Sequence, residues 1–184
     1  MKAPILALAL LFPLLAQAAL PVGKPLSPLT LEGEAGGLVT GGPWKSESLK
    51  GKIVLLFYVD PDEKGSNKEI EVALGALPQG PEVVSVAIIN LGATWLPNSV
   101  IASKLEESQK EHPRTTYVKD LNKTLVKAWG AGDDTYMVSL IGPDQTVLYS
   151  YDGTMGQPQI NEMIGKLKEA VLALTGKPID SLGK

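Results

Sequence analysis

The chain has 184 residues, with 20 Asp or Glu, 17 Lys or Arg, one His and no Cys, for a net charge of -3. An apolar fraction of 44% with 20% charged residues is typical of a folded domain and excludes a disordered chain. Because no basic excess is available to neutralise phosphates, nucleic acid is not an expected partner. The absence of Cys excludes disulfides, thiolate catalysis and thiolate metal ligation.

The first 18 residues have the pattern of a secretory signal peptide. A positive start at Lys2 precedes a mostly apolar run over residues 5–15, and residues 16–18 read Ala-Gln-Ala, as a signal peptidase requires. The alternative is a buried N-terminal helix. The apolar run is shorter than the roughly 20 residues that span a bilayer, and no longer run follows. We therefore expect export to the periplasm, cleavage after Ala18 or Ala19, and a mature chain without a membrane span.

After a Gly- and Pro-rich segment, apolar runs alternate with segments of helical periodicity. The predicted strands are 29–31, 38–40, 53–59, 83–89, 117–118, 136–141 and 147–151, and the predicted helices begin near Ser66, at Asn98 or Ser99, at Lys123 and near Pro158. Ser66 with Glu69 three residues later has the pattern of a capping box. Residues 142–145, Gly-Pro-Asp-Gln, predict a hairpin turn between the last two strands.

This order of elements predicts an α/β fold. Strands that are connected through helices lie parallel, with right-handed crossovers, and the final hairpin adds antiparallel strands to the same sheet. That is the thioredoxin-like arrangement, a central mixed sheet flanked by helices. We expect a signal peptide at 1–18, an N-terminal extension with short edge strands at 19–50, and the thioredoxin-like domain at 51–184.

Several short stretches carry a resemblance to a known family. They are Gly51-Lys52-Ile53-Val54, Asp60-Pro61-Asp62-Glu63-Lys64, Ala87-Ile88-Ile89-Asn90, Ala93-Thr94-Trp95-Leu96-Pro97-Asn98, Tyr117-Val118-Lys119-Asp120, Leu125-Val126-Lys127-Ala128-Trp129 and Asp133-Asp134. On these residues the chain resembles the YtfJ family, small periplasmic thioredoxin-fold proteins of unestablished function. The resemblance covers nearly the whole mature chain. It implies a fold and a location, and it brings no catalytic residue.

Redox-active proteins of the thioredoxin class place Cys-x-x-Cys after the first central strand, where a helix N-terminus lowers the thiol pKa. Here residues 60–65 read Asp-Pro-Asp-Glu-Lys-Gly. The Pro usual before the hairpin is also absent, because residues 133–136 read Asp-Asp-Thr-Tyr. Thiol–disulfide exchange and thiol peroxidase chemistry are therefore excluded. We expect no catalytic residue and no cofactor.

Carboxylates follow the predicted strands at the edge where open α/β sheets bind ligands. Their oxygens suit Ca²⁺ or Mg²⁺, which gives the hypothesis of a metal site. The five candidates are Asp60, Asp62, Glu63, Asp133 and Asp134. The alternative is a solvated acidic loop near helix N-termini, since the spacing is not that of an EF-hand loop.

The same edge carries an aromatic residue among small neighbours, Trp95. Trp is favoured at interface hot spots, so Trp95 is a candidate anchor for a partner protein of the cell envelope; the alternative is that it packs over the sheet. The predicted partner surface consists of Asp60, Asp62, Glu63, Lys64, Asn90, Thr94, Trp95 and Asn98. The leading functional hypothesis is a non-redox binding or interaction module, and the rival is a carboxylate- or metal-dependent envelope enzyme.

Two further residues have simpler interpretations. Trp129 follows Leu125 by four residues in a short predicted helix, a spacing that predicts packing in the core. His112 lies between a helix and the next strand, at the edge opposite the carboxylates, and is predicted to be a surface residue.

Overall fold

The computed structural model describes residues 19–78, 80–95 and 97–182, so the predicted signal peptide lies outside the described residues. The strands are β1 (Thr30–Leu31), β2 (Gly36–Leu38), β3 (Trp44–Lys45), β4 (Ile53–Val59), β5 (Val83–Asn90), β6 (Thr115–Asp120), β7 (Tyr136–Ile141) and β8 (Val147–Asp152). The helices are α1 (Lys68–Gly75), α2 (Asn98–Glu111), α3 (Thr124–Trp129) and α4 (Gln157–Thr175). Over these ranges, no helix has the length and apolar character needed to cross a bilayer.

Six strands form the central sheet in the order β2-β6-β5-β4-β7-β8. The strands β4, β5 and β6 run parallel to one another. The other three strands of this sheet, β2, β7 and β8, pair antiparallel with their neighbours. The predicted mixed sheet of thioredoxin type is therefore confirmed. The apolar run Ile53–Val59 has the composition expected for β4, which is paired on both sides and buried at every residue except the partly exposed Phe57.

The two faces of the sheet are covered in different ways. On one face, α1, α2 and α4 contribute a core that includes Ile70, Leu105 and Leu167. On the other face the only α-helix within the described ranges is α3, whose six residues are too few to cover a sheet. Residues 20–49 complete this second core. The residues that pack over this face are Leu20, Leu26, Leu31, Trp44 and Leu49. The N-terminal extension is thus part of the folded core, and its strand β2 belongs to the central sheet.

Trp44 joins the extension to α3. Its ring meets that of Trp129 in a T-shaped arrangement, with centroids 6.4 Å apart. The indole N–H of Trp129 donates to the carbonyl of Ser27 at 2.9 Å, which satisfies the polar atom of a buried ring. The prediction that Trp129 packs in the core is confirmed.

Backbone groups near both sides of the sheet are partly occupied by neighbouring segments. Along β8, Gly23 N–H donates to Val147 O at 2.8 Å, and Val147 N–H donates to Lys24 O at 2.9 Å. At the other side β2 pairs with only the last three residues of β6. At the first residues of β6, the side chain of Gln109 on α2 bonds to the strand backbone instead. It accepts from Tyr117 N–H at 3.1 Å and donates to Thr115 O at 2.8 Å.

Some local predictions were wrong. The capping box does not form: α1 begins at Lys68, and Ser66 lies in the turn before it. Asn67 directly precedes the helix, but its amide instead accepts from Met155 N–H at 2.8 Å and donates to Gly153 O at 2.9 Å. The polar residue at the helix start is thus used for a long-range tie.

Two strands also differ from the prediction. The third parallel strand is longer than Tyr117–Val118, because the polar residues Thr115 and Thr116 extend its pairing with β5. The strand predicted at 29–31 pairs with β3 in a separate two-stranded sheet.

Candidate functional site

The parallel strands end together at one edge of the sheet, here called the carboxyl edge. Asp60 follows β4, Asn90 ends β5 and Asp120 ends β6. The segment before β7 begins at the same edge, since Asp60 N–H donates to Thr135 O at 2.9 Å. This is the edge at which open α/β sheets bind ligands.

Asp60 is buried, with 5% of its surface exposed, and shapes the turn after β4. Its Oδ1 accepts from Asp62 N–H at 2.9 Å, and residues 61–63 form a 3-10 turn. Burial raises the pKa of Asp60, the bond from Asp62 N–H opposes that rise, and the charges of Asp62 and Asp134 add to it. The ionised form of Asp60 is therefore disfavoured in the folded protein.

We expect Asp60→Asn to raise the Tm at pH 7. A carboxyl group whose pKa is raised by folding stabilises fully below its unfolded pKa of about 3.9, and that stability is lost as the pH rises through its folded pKa. Asparagine keeps an acceptor for Asp62 N–H and removes the buried charge. The gain in Tm should be present at pH 7. It should be absent at about pH 3, where Asp60 is protonated in both the folded and the unfolded protein. A gain of equal size at both pH values would contradict this explanation.

Asp133 lies at the centre of a hydrogen-bonded cluster. Lys123 Nζ donates to its Oδ2 at 2.6 Å, and Asn90 Nδ2 donates to its Oδ1 at 3.0 Å. Burial acts to raise the pKa of Asp133, but the bonds from Lys123 and Asn90 outweigh it and hold the pKa below its usual range. Lys123 also lies 3.8 Å from Asp134. One lysine thus pairs with both carboxylates that precede β7, closely with Asp133 and more loosely with Asp134.

This geometry does not support the metal hypothesis. Within the described part of the chain, no group of three His, Cys, Asp or Glu side chains is arranged to hold a metal ion. An ammonium group takes the place beside Asp133 that a cation would need, and Asp62 and Glu63 point to solvent. The carboxylate of Asp60 accepts a hydrogen bond instead, and those of Asp133 and Asp134 form an ion-pair cluster with Lys123.

Asp120 is a buried residue of this edge to which the sequence analysis assigned no role. Its Oδ1 accepts from Thr124 N–H at 2.8 Å, and its Oδ2 accepts from Leu125 N–H at 3.0 Å and from the Tyr58 hydroxyl at 3.1 Å. It therefore caps α3 from the end of β6 and ties that helix to β4. The signal in the sequence was an Asp that ends a strand four residues before a helix.

Trp95 is 86% exposed, which contradicts the interpretation that it packs over the sheet. It lies in the segment between β5 and α2, whose first residue is Asn98. Of the other residues of the predicted partner surface, Asp60 and Asn90 are buried, and Asn98 is the first residue of α2. The accessible part, here called the exposed edge patch, consists of Asp62, Glu63, Lys64, Thr94 and Trp95.

The remaining predicted surface residue lies elsewhere. His112 is exposed after α2, at the edge opposite the carboxyl edge. That placement agrees with the prediction, and it separates the imidazole from the clustered carboxylates.

Sheet order, crossovers and terminal hairpin define a thioredoxin-like protein, and solved structures agree. The thiol peroxidase of Chromobacterium violaceum matches with a TM-score of 0.57 at 18% identity, over 82% of this chain and 91% of that one. BsSco, a member of the Sco family of cytochrome c oxidase assembly proteins, matches with a TM-score of 0.56 at 16% identity, over 82% of this chain and 95% of that one. The exposed lipoprotein thioredoxin Etrx1 of Streptococcus pneumoniae strain TIGR4 matches with a TM-score of 0.52 at 16% identity, over 76% of this chain and 99% of that one.

The family follows from residues 36–170, which match the bacterial family of unknown function YtfJ_HI0045. Because the match covers more than half of the chain, the protein belongs to that family, as the resemblance of its sequence stretches implied. No curated protein matches the sequence.

Proposed function

We propose that this protein is a non-redox interaction module of the bacterial periplasm. Its thioredoxin-like fold would present the exposed edge patch to a protein partner of the cell envelope. The observation that carries the proposal is the 86% exposure of Trp95. An indole ring left in water at a ligand-binding edge has no packing role in the free protein, and Trp is enriched where protein interfaces are energetically strongest.

The chemistry of the edge supports binding over electron transfer. The chain has no Cys, and the turn after β4 is held by the bond from Asp62 N–H to Asp60. Beneath the patch, Asn90 and Lys123 hold Asp133 in place. A rigid base of this kind reduces the entropy that is lost when a surface binds its partner.

The proposed location rests on the sequence pattern of residues 1–18. If the chain is exported as proposed, the mature protein recovered from a periplasmic fraction begins at Ala19 or Leu20. N-terminal sequencing or intact-mass measurement checks this directly. Recovery of the uncut chain in the cytosolic fraction would contradict it.

The partner hypothesis is tested by photo-cross-linking in cells. We expect a photoreactive amino acid at position 95 to give one discrete adduct with an envelope protein. The same group at Leu172, which is 51% exposed on α4, is the control and should not give that adduct.

A second comparison shows whether the indole itself binds. We expect Trp95→Ala to abolish co-purification of the cross-linked partner, while Leu172→Ala leaves it unchanged. Equal adducts from both positions, or partner capture unaffected by Trp95→Ala, would contradict the proposal. Because Trp95 is exposed, its removal should leave the fold intact, which circular dichroism verifies.

A further inference from the structure

A concave surface lies between α1 and α2, and it touches the exposed edge patch only at Lys64. It is a groove of about 650 Å³ whose floor is formed by the sheet. That volume is within the range of small-molecule sites, roughly 300–1,000 Å³. This groove carries an inference that does not rest on the proposed partner.

The groove exists because the middle of the sheet is incompletely covered. The strand β5 presents small side chains there, Ser85 and Ala87, and the neighbouring Phe57 on the central strand β4 remains partly exposed. A large apolar residue on a central strand is normally covered by a helix. Its accessibility therefore leaves an aromatic face open to a ligand.

Three aromatic rings line this groove. Phe57 and Tyr136 meet in a T-shaped arrangement with centroids 6.3 Å apart, and Tyr117 on β6 adds a third ring. Tyr136 is only 3% exposed, so it supports the ring of Phe57 from behind, and Phe57 and Tyr117 are the two partly accessible rings. Aromatic faces carry negative electrostatic potential, so rings gathered around a cavity attract organic cations. Aliphatic side chains would offer the same apolar contact without that preference.

The charges nearest the rings have the complementary sign. The Tyr136 hydroxyl donates to Glu71, an exposed residue of α1 that lines the groove. Burial raises the pKa of Tyr117, and the carboxylates of Glu71 and Glu111 raise it further. Glu111 ends α2, where the helix dipole also favours a cation.

Two cationic residues line the ends of the groove. Lys64 lies just after β4, and Arg114 just before β6, and since these strands are parallel the two residues are at opposite edges of the sheet. The middle of the groove is left to the rings and to Glu71. A ligand cation of modest size fits between the two ends.

We propose that this groove binds a small quaternary ammonium ion, whose charge is held against Phe57 and Tyr117 and is balanced by Glu71. A methylated ammonium loses less hydration on entering an apolar groove than a primary amine does, and it needs no hydrogen-bond acceptor. Recognition of this ligand class by aromatic cages is a common use of cation–π attraction.

Calorimetric titration of the mature protein with choline tests the proposal. We expect saturable binding, and we expect 3,3-dimethylbutanol, the uncharged molecule of the same shape, to bind about tenfold more weakly or not at all. No saturable binding up to about 10 mM choline, ten times a 1 mM dissociation constant, would overturn the proposal. Equal binding of the uncharged molecule would overturn it as well, since shape alone would then explain binding.

Variants locate the binding site. Glu71→Gln keeps a hydrogen-bond acceptor for Tyr136 and removes the charge, so we expect choline affinity to fall about tenfold. Glu69→Gln removes a charge from the same helix outside the groove lining and should change the affinity less than about twofold. Phe57→Leu, which keeps the apolar floor, should also weaken binding. If Glu71→Gln and Glu69→Gln have equal effects, the groove is not the site.

Discussion

Trp44→Ala is expected to lower the free energy of unfolding by about 3–5 kcal/mol, the range for removal of a buried Trp or Phe ring. Trp44 is 3% exposed and packs against Trp129 over a face of the sheet that α3 alone is too short to cover. Removing the ring opens a cavity between the extension and α3. The loss also weakens the attachment of residues 20–49 to the rest of the core.

Urea unfolding followed by far-ultraviolet circular dichroism measures this change without relying on Trp fluorescence. Trp95→Ala is the matched control, because it deletes the same side chain from an exposed position and should change the free energy of unfolding by less than about 0.5 kcal/mol. If the two variants were equally stable, the extension would not be part of the cooperative core.

Asp120→Ala is expected to cost about 3–5 kcal/mol, because it leaves several buried donors without their charged acceptor. The carboxylate is fully buried and accepts from the N–H groups of Thr124 and Leu125 and from the Tyr58 hydroxyl. Its removal leaves the first turn of α3 without its cap. Thermal and urea unfolding both report the change.

Tyr58→Phe separates the two halves of this interaction. It removes only the hydroxyl donor, so it should cost about 1 kcal/mol, well below the cost of Asp120→Ala. If the two substitutions cost the same, the capping of α3 would contribute nothing, and the link between β6 and β4 would be the whole effect.

The sequence predicted the sheet well because its signal is local. The apolar run Ile53–Val59 and the hairpin turn at residues 142–145 specify strands by composition and turn chemistry alone. The start of α1 was predicted two residues early, with a capping box that does not form, for the opposite reason. Asn67 precedes that helix, but its amide bonds to residues 86 and 88 positions away in the chain.

The candidate site was predicted in part. Topology was enough to bring Asp60, Asn90 and Asp133 to one edge, because parallel strands end together. Burial could not be inferred from the same pattern. The sequence treats Asp60 and Trp95 alike as surface candidates, whereas the first is 5% exposed and the second 86%. The groove between α1 and α2 depends on how far two helices stand apart, which no local pattern specifies.

The hydrogen bonds along the outer strands limit how any other molecule can join this one. A peptide cannot pair with the start of β8 at Val147 without displacing Gly23 and Lys24, and Gln109 must leave Thr115 and Tyr117 before the start of β6 accepts one. Association by backbone pairing, which leads to fibres and to exchange of segments between copies, is therefore hindered at these two places. Recognition there is left to side chains, where single substitutions can retune it.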